Sequence, residues 1–136
     1  MEELKGKLAM KNLCFSRFDF KQKVDVKGSI NIKCDFEVVY KKITDKSQIV
    51  KIITHLIGDE ERLILNIEEQ AEVELINAEL LDDKTREVIL NQNSVAIMFP
   101  YLRSQVALLT TQPGLSTFQL PIIDVRELIK NARHEQ

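Results

Sequence analysis

Ile30-Asn31-Ile32-Lys33-Cys34-Asp35-Phe36-Glu37-Val38 alternates apolar and polar residues without a break. Successive side chains of a strand point to opposite faces, so Ile30, Ile32, Cys34, Phe36 and Val38 share one face. Asn31, Lys33, Asp35 and Glu37 share the other, which describes a half-buried antiparallel strand with one wet side. Working outward, the period returns downstream of Leu63. Leu65, Ile67, Ala71, Val73 and Leu75 lie on one face, and Asn66, Glu68, Gln70, Glu72 and Glu74 on the other. Glu69 falls on the apolar side and predicts a bulge or a bend there. Between the two, Gln48 to Ile57 (QIVKIITHLI) is apolar on both faces, as a central strand is. Gly58-Asp59-Glu60 reads as the tight turn of a hairpin, and Asp45-Lys46-Ser47 as another. The first strand, about Leu8 to Phe20, is less regular. Met10, Phe18 and Phe20 fall on one parity, Leu13 and Phe15 on the other, so either both faces are covered or one binds something.

The second half changes period. Asp82-Asp83-Lys84-Thr85 carries helix-start chemistry, because an acid near a helix N-terminus complements the dipole. From there to about Thr111, Val88, Val95, Met98, Leu102, Val106 and Leu109 recur at spacings of three, four or their sum, seven. Pro100 should kink this helix or mark a junction between two, and Gln112-Pro113-Gly114 stops it. Phe118 to Ile123 is extended and apolar, and Asp124 is placed to cap a short last helix through Val125, Leu128 and Ile129. The charged tail NARHEQ is expected to fray. Strands followed by helices indicate an α+β fold: a four-stranded antiparallel sheet, a long kinked helix and a short C-terminal helix. With no Pro/Gly/Ser linker or repeat, residues 1–136 are expected to form a single domain.

Composition narrows the function. The net charge is -2 without a basic stripe, and aromatics are 6% with no Trp, so neither the footprint of a nucleic-acid binder nor a base-stacking platform is present. The start, MEELKGKLAM, has no apolar run of signal-peptide length, and no window approaches 18 apolar residues, so a cytoplasmic protein without membrane insertion is expected. Cys14 and Cys34 are too isolated for a metal or redox pair and read as small strand residues. His55 sits in the central strand and His134 in the tail, neither at metal-ligand spacing. No nucleophile elbow or phosphate loop occurs. No enzyme, no catalytic residue, no metal and no cofactor are expected.

The stretch FPYLRSQVALLTTQPGLSTFQLPIIDVRELI, Phe99 to Ile129, resembles the C-terminal half of SecB-like protein-export chaperones. Phe99, Pro100, Tyr101 and Arg103 match that family's mid-helix Phe-Pro-Tyr-x-Arg; Phe118, Leu120, Pro121, Ile122 and Asp124 approximate its second element. Met10 to Lys21 and Ile57 to Leu75 are similar to its first strand and to its fourth strand with the preceding turn. The resemblance implies a homotetramer, a dimer of dimers with the long helices between two eight-stranded sheets. It implies an ATP-independent holdase that keeps unfolded or slowly folding polypeptides in apolar grooves, for delivery to the export translocase or for guarding the antitoxin of a toxin–antitoxin pair. Client contact is expected at Leu13, Phe15, Phe18, Phe20, Ile122, Ile123 and Leu128. Helix packing, in the core or between subunits, is expected at Met98, Phe99, Tyr101, Leu102 and Arg103. Export members dock the SecA motor through carboxylates on the wet sheet face. The aligned positions here are Arg17, Lys21 and Asn66, with Glu68, Glu72 and Glu74 nearby, and reversed charge opposes that docking. The reading from a different class is a small-ligand-binding or thioester-processing α+β domain, which would form a closed dimer with one deep pocket.

Overall fold

The computed structural model describes residues 7–23, 31–111 and 118–135. The chain forms strands β1 (Lys7–Gln22), β2 (Ile32–Thr44), β3 (Ser47–Gly58), β4 (Leu63–Ile76) and β5 (Arg133–Glu135). They lie in the order β1-β4-β3-β2-β5. The first four pair antiparallel, while β5 joins β2 in parallel. The sheet is therefore five-stranded and mixed, not four-stranded and antiparallel. The extra strand comes from the tail expected to fray, which returns to the open edge of β2. There Arg133 reaches Glu37 at 3.1 Å, and the His134 ring lies 5.2 Å from that of Tyr40.

β3 is central, as its two apolar faces require: Val50, Ile52 and Leu56 are buried on one side, and Ile49, Ile53 and Ile57 are half-buried on the other. Asp45 and Lys46 turn the chain from β2 into β3, with Thr44 opposite Ser47. The connection from β3 to β4 is a 3-10 turn, Asp59–Glu61, rather than a tight hairpin turn. It holds Glu60 and Glu61 at φ of 55° and 57°, a left-handed geometry that costs a non-glycine residue about 1–2 kcal/mol.

The irregular first strand has a specific cause. The pairing of β1 with β4 slips between Lys11 and Cys14, where Asn12 has φ 56°, and again between Phe15 and Arg17. Each extra residue reverses the side-chain parity. Met10, Phe15, Phe18 and Phe20 consequently stand opposite Val73, Glu69, Ile67 and Leu65, all on the buried face of β4. The two apolar parities of the sequence become one apolar face. β4 itself runs through Glu69 in unbroken register with β3; the bulge expected there lies across from it, in β1.

The helical half comprises α1 (Asp83–Glu87), a π-helical turn (Val88–Asn93), α2 (Ser94–Thr110) and α3 (Val125–Leu128). Asp82 caps α1, its carboxylate accepting from the Thr85 N–H at 2.7 Å. α2 continues through Pro100 as one helix about 25 Å long, so no junction forms there. The departure from α geometry lies upstream, in the π-helical turn. A wider turn shifts everything before it around the axis. Val88 accordingly leaves the stripe and is exposed, whereas Leu90 packs on the core. Val95, Met98, Leu102 and Val106 are buried against Ile52, Leu56, Leu65 and Ile67 of the sheet. The sheet pins the π-helical turn through its freed carbonyls. The Gln48 amide donates to the Leu90 carbonyl (3.0 Å) and the Asn91 side chain (2.8 Å), and the Tyr40 hydroxyl donates to the Asn91 carbonyl (3.0 Å). Ile30 and the helix stop at Gln112-Pro113-Gly114 lie outside the described residues.

Candidate functional site

Two of the places where apolar residues are left open contain the residues expected to touch a client. At the β1 edge, Phe15 and Phe18 stack with centroids 5.7 Å apart. Phe18 stays 45% exposed although it stands opposite the buried Ile67, so its ring is a dry surface facing water. Leu13, Phe15 and Phe20 pack on the core from the same strand.

The second place is at β2. Thr110 Oγ1 accepts from the Phe118 N–H at 2.9 Å, which ties the returning chain to the end of α2. Leu120 anchors that chain in the core with 2% exposure, and two residues later Ile122 is 89% exposed. Asp124 then caps α3, accepting from the Arg126 N–H at 2.9 Å. The Arg126 side chain also donates to it, and these bonds hold its carboxyl below the usual carboxylate range. Ile123 and Leu128 line a cleft of about 480 Å³ with Cys34, Phe36 and Val38. Burial pushes the Cys34 thiol up to about 12, so it serves there as an apolar group. Phe36 meets Phe99 of α2 edge-on, with ring centres 5.8 Å apart. The seven residues expected to touch a client thus divide between opposite ends of the sheet, Leu13, Phe15, Phe18 and Phe20 at β1 and Ile122, Ile123 and Leu128 beside β2, with α2 between.

Of the expected helix residues, Met98, Phe99 and Leu102 are core, Arg103 is half-buried and Tyr101 is 55% exposed. Tyr101 shares an outer stripe with Ile97 and Leu108, exposed at 44% and 66%. The spacings of four and seven put all three on one side of α2. Ile97 and Leu108 were not singled out from the sequence, although that spacing carries the signal.

The wet sheet face holds the expected docking residues together. Arg17 stands opposite Glu68 and Asp19 opposite Asn66, with Lys21 and Glu74 on the same side. The charges compensate one another: Lys11 meets Glu72 at 3.5 Å, Arg17 meets Glu68 at 4.0 Å and Asp19 at 2.6 Å, and Arg133 covers Glu37. His55 hydrogen-bonds the Asn66 side chain across β3 and β4, which occupies it as a strand residue.

One polar group the sequence flagged lies inside. Glu69 is fully buried opposite Phe15 and Ile52, and neither carboxyl oxygen has a hydrogen-bond partner. Burial raises its pKa to about 8, so it is uncharged at neutral pH. The Thr54 hydroxyl, two residues from Ile52 on the same face, is also unpartnered. Among the described residues no cluster of His, Cys, Asp and Glu could hold a metal ion, and no helix is long and apolar enough to cross a membrane.

No family model matches this chain, and no curated protein does. Among solved structures, a SecB-like chaperone of Mycobacterium tuberculosis, in complex with a ChAD peptide from the HigA1 antitoxin, is similar with a TM-score of 0.67 at 18% identity. The match covers 86% of this chain and 88% of the other. A protein of unknown function from Streptococcus agalactiae aligns with a TM-score of 0.49 at 6% identity, covering 86% of this chain and 98% of that one. The sheet, the long helix carrying Phe-Pro-Tyr-x-Arg and the extended return to a short last helix together give this chain a SecB-like fold.

Proposed function

We propose that this protein is a non-enzymatic holdase that binds unfolded polypeptide on the apolar surfaces at β1 and β2, without nucleotide or cofactor, and that its client is an antitoxin-like partner rather than an export cargo. The observation that carries the reading is a SecB-like fold with large apolar side chains left in water where a client would lie, Phe18 and Ile122 foremost. Each Å² of apolar client surface covered contributes about 25 cal/mol. Many weak contacts along one chain add up without a sequence-specific hydrogen bond.

The choice of client rests on charge. Docking of a motor through carboxylates needs an acidic field, and here Glu68 and Glu72 already face Arg17 and Lys11. The similar mycobacterial chaperone is in complex with an antitoxin peptide, which supports the same client class. The exposed stripe Ile97, Tyr101 and Leu108 on α2 supports a homotetramer, in which helices of different subunits cover one another.

The test is dilution of a chemically unfolded protein into buffer with and without stoichiometric chaperone, no nucleotide present. Suppressed aggregation that saturates near one tetramer per client is the expected result. Undiminished light scattering at every ratio, with the protein shown to be folded, would overturn the holdase reading. Binding of the SecA motor at physiological salt would overturn the choice of client.

A further inference from the structure

The strand β5 shows how the edge of β2 accepts a guest. Arg133 stands opposite Val39 and shares the wet face with Glu37, to which it is paired at 3.1 Å. His134 stands opposite Tyr40 on the other face and lays its ring on the tyrosine. The three residues are all exposed, and none of their side chains belongs to the core. Below them, among the described residues, Ile32 to Val38 pairs with β3 alone, so its outer backbone groups are open. The cleft lined by Phe36, Val38, Ile123 and Leu128 runs along that open stretch and ends at Arg133. Among the described residues its rim carries three carboxylates, Asp35, Glu37 and Glu127, and one cation, Arg133.

We propose that Arg133–Glu135 is an internal placeholder strand, which competes with the client for the β2 edge and thereby selects clients with alternating aromatic and basic residues. This rests on the holdase reading above and specifies how that surface is gated. A strand laid parallel along Ile32 to Lys41, over the Val39 to Lys41 positions that β5 occupies, sets alternate side chains on opposite faces. One parity lies over Phe36 and Val38 as His134 lies over Tyr40; the other meets Asp35 and Glu37 as Arg133 does. A client of that pattern displaces Arg133 from Glu37 and replaces its charge. An acidic client leaves three carboxylates facing its own and is rejected. The placeholder is only three residues long, held by its pairing with Val39 to Lys41, one exposed ion pair and one ring contact, so a longer strand displaces it.

The probe is a fluorescein-labelled decapeptide alternating phenylalanine with lysine, with a second alternating phenylalanine with glutamate. Affinities are measured on the full chain and on an Arg133→Ala/His134→Ala variant, whose altered side chains both lie outside the core. The lysine peptide is expected to bind the variant on the order of five- to tenfold tighter than the wild type, and the glutamate peptide at least tenfold more weakly than the lysine peptide on either. Backbone amide exchange at Arg133–Glu135 should accelerate on wild-type protein when the lysine peptide is added. Equal affinities on variant and wild type, with unchanged exchange at those amides while aggregation is still suppressed, would overturn the placeholder and leave the holdase reading standing. Equal binding of both peptides would overturn the charge selection. Loss of both peptide binding and aggregation suppression would sink the holdase reading and the placeholder with it.

Discussion

Replacing Glu69 by glutamine should remove a large pH dependence from the stability of this protein. The carboxyl is buried without a hydrogen bond, and its pKa rises from 4.5 to about 8 for that reason alone. In the unfolded chain it returns to the ordinary value. Below about pH 4.5 both states hold the proton, and the full contribution of the neutral acid is present. Between there and about pH 8 only the folded state holds it, so stability declines by about 1.4 kcal/mol per pH unit. Above about pH 8 the folded state is ionised as well and the decline stops. Across about 3.5 units the loss is on the order of 5 kcal/mol, comparable to the whole stability of a weak domain. Glu69→Gln keeps the size and hydrogen-bonding character but cannot ionise. Urea unfolding of both proteins at one concentration, read by far-UV circular dichroism because the chain has no Trp, gives the stability difference at each pH from about 5 to about 8.5. The wild type should lose ground to the variant by about 1.4 kcal/mol per unit between about pH 5.5 and about 7.5, and the difference should level off above about pH 8. A difference that stays constant with pH would refute the neutral buried acid.

Three further outcomes are expected. Phe18→Ser should weaken suppression of client aggregation several-fold while shifting the midpoint of urea unfolding little, because the ring is half in water already; unchanged suppression would remove Phe18 from the client surface. Gln48→Ala should lower stability by about 1–3 kcal/mol, since two hydrogen bonds to the π-helical turn are lost while the Ser94 hydroxyl still serves the Leu90 carbonyl; thermal unfolding within a degree of wild type would count against that role. Leu108→Lys, on the exposed stripe of α2, should halve the assembly mass in analytical ultracentrifugation without altering the circular dichroism spectrum, and an unchanged mass would place the subunit contact elsewhere.

Regular elements were legible where one period rules a segment. Ile32 to Val38 and Leu63 to Leu75 alternate cleanly, and their buried faces are the ones that alternation implies. The central place of β3 followed from its apolar faces, and the caps at Asp82 and Asp124 from residue chemistry. Insertions within an element were not legible. The two bulges of β1 are set by pairing with β4, a partner far away in sequence, so strict alternation assigned Phe15 and Phe18 to different faces when they stack on one. The π-helical turn likewise depends on Gln48 and Tyr40 reaching its carbonyls from the sheet. β5 was missed because Arg133-His134-Glu135 has no apolar residue, and its partners Glu37 and Tyr40 lie almost a hundred positions earlier. Of the candidate site, the aromatic content of β1 and the apolar return through Ile122 and Ile123 could be read directly. Their separation to opposite ends of the sheet could not, because strand order is a property of the whole chain.

The π-helical turn at Val88–Asn93 makes this region intolerant of a change in length. Each residue of an α-helix advances about 100° around the axis. Deleting one residue between Val88 and Asn93 would let the segment close into ordinary α-helix, with its local hydrogen bonds improved. The same deletion would swing α1 by about 100° relative to α2. Arg86 would leave the Ala78 carbonyl that its guanidinium binds at 2.7 Å, and the Tyr40 hydroxyl and Gln48 amide would be left without the carbonyls they now serve. A locally better helix would then be a globally worse protein, and most single substitutions at these six positions should do less harm than the loss of one of them.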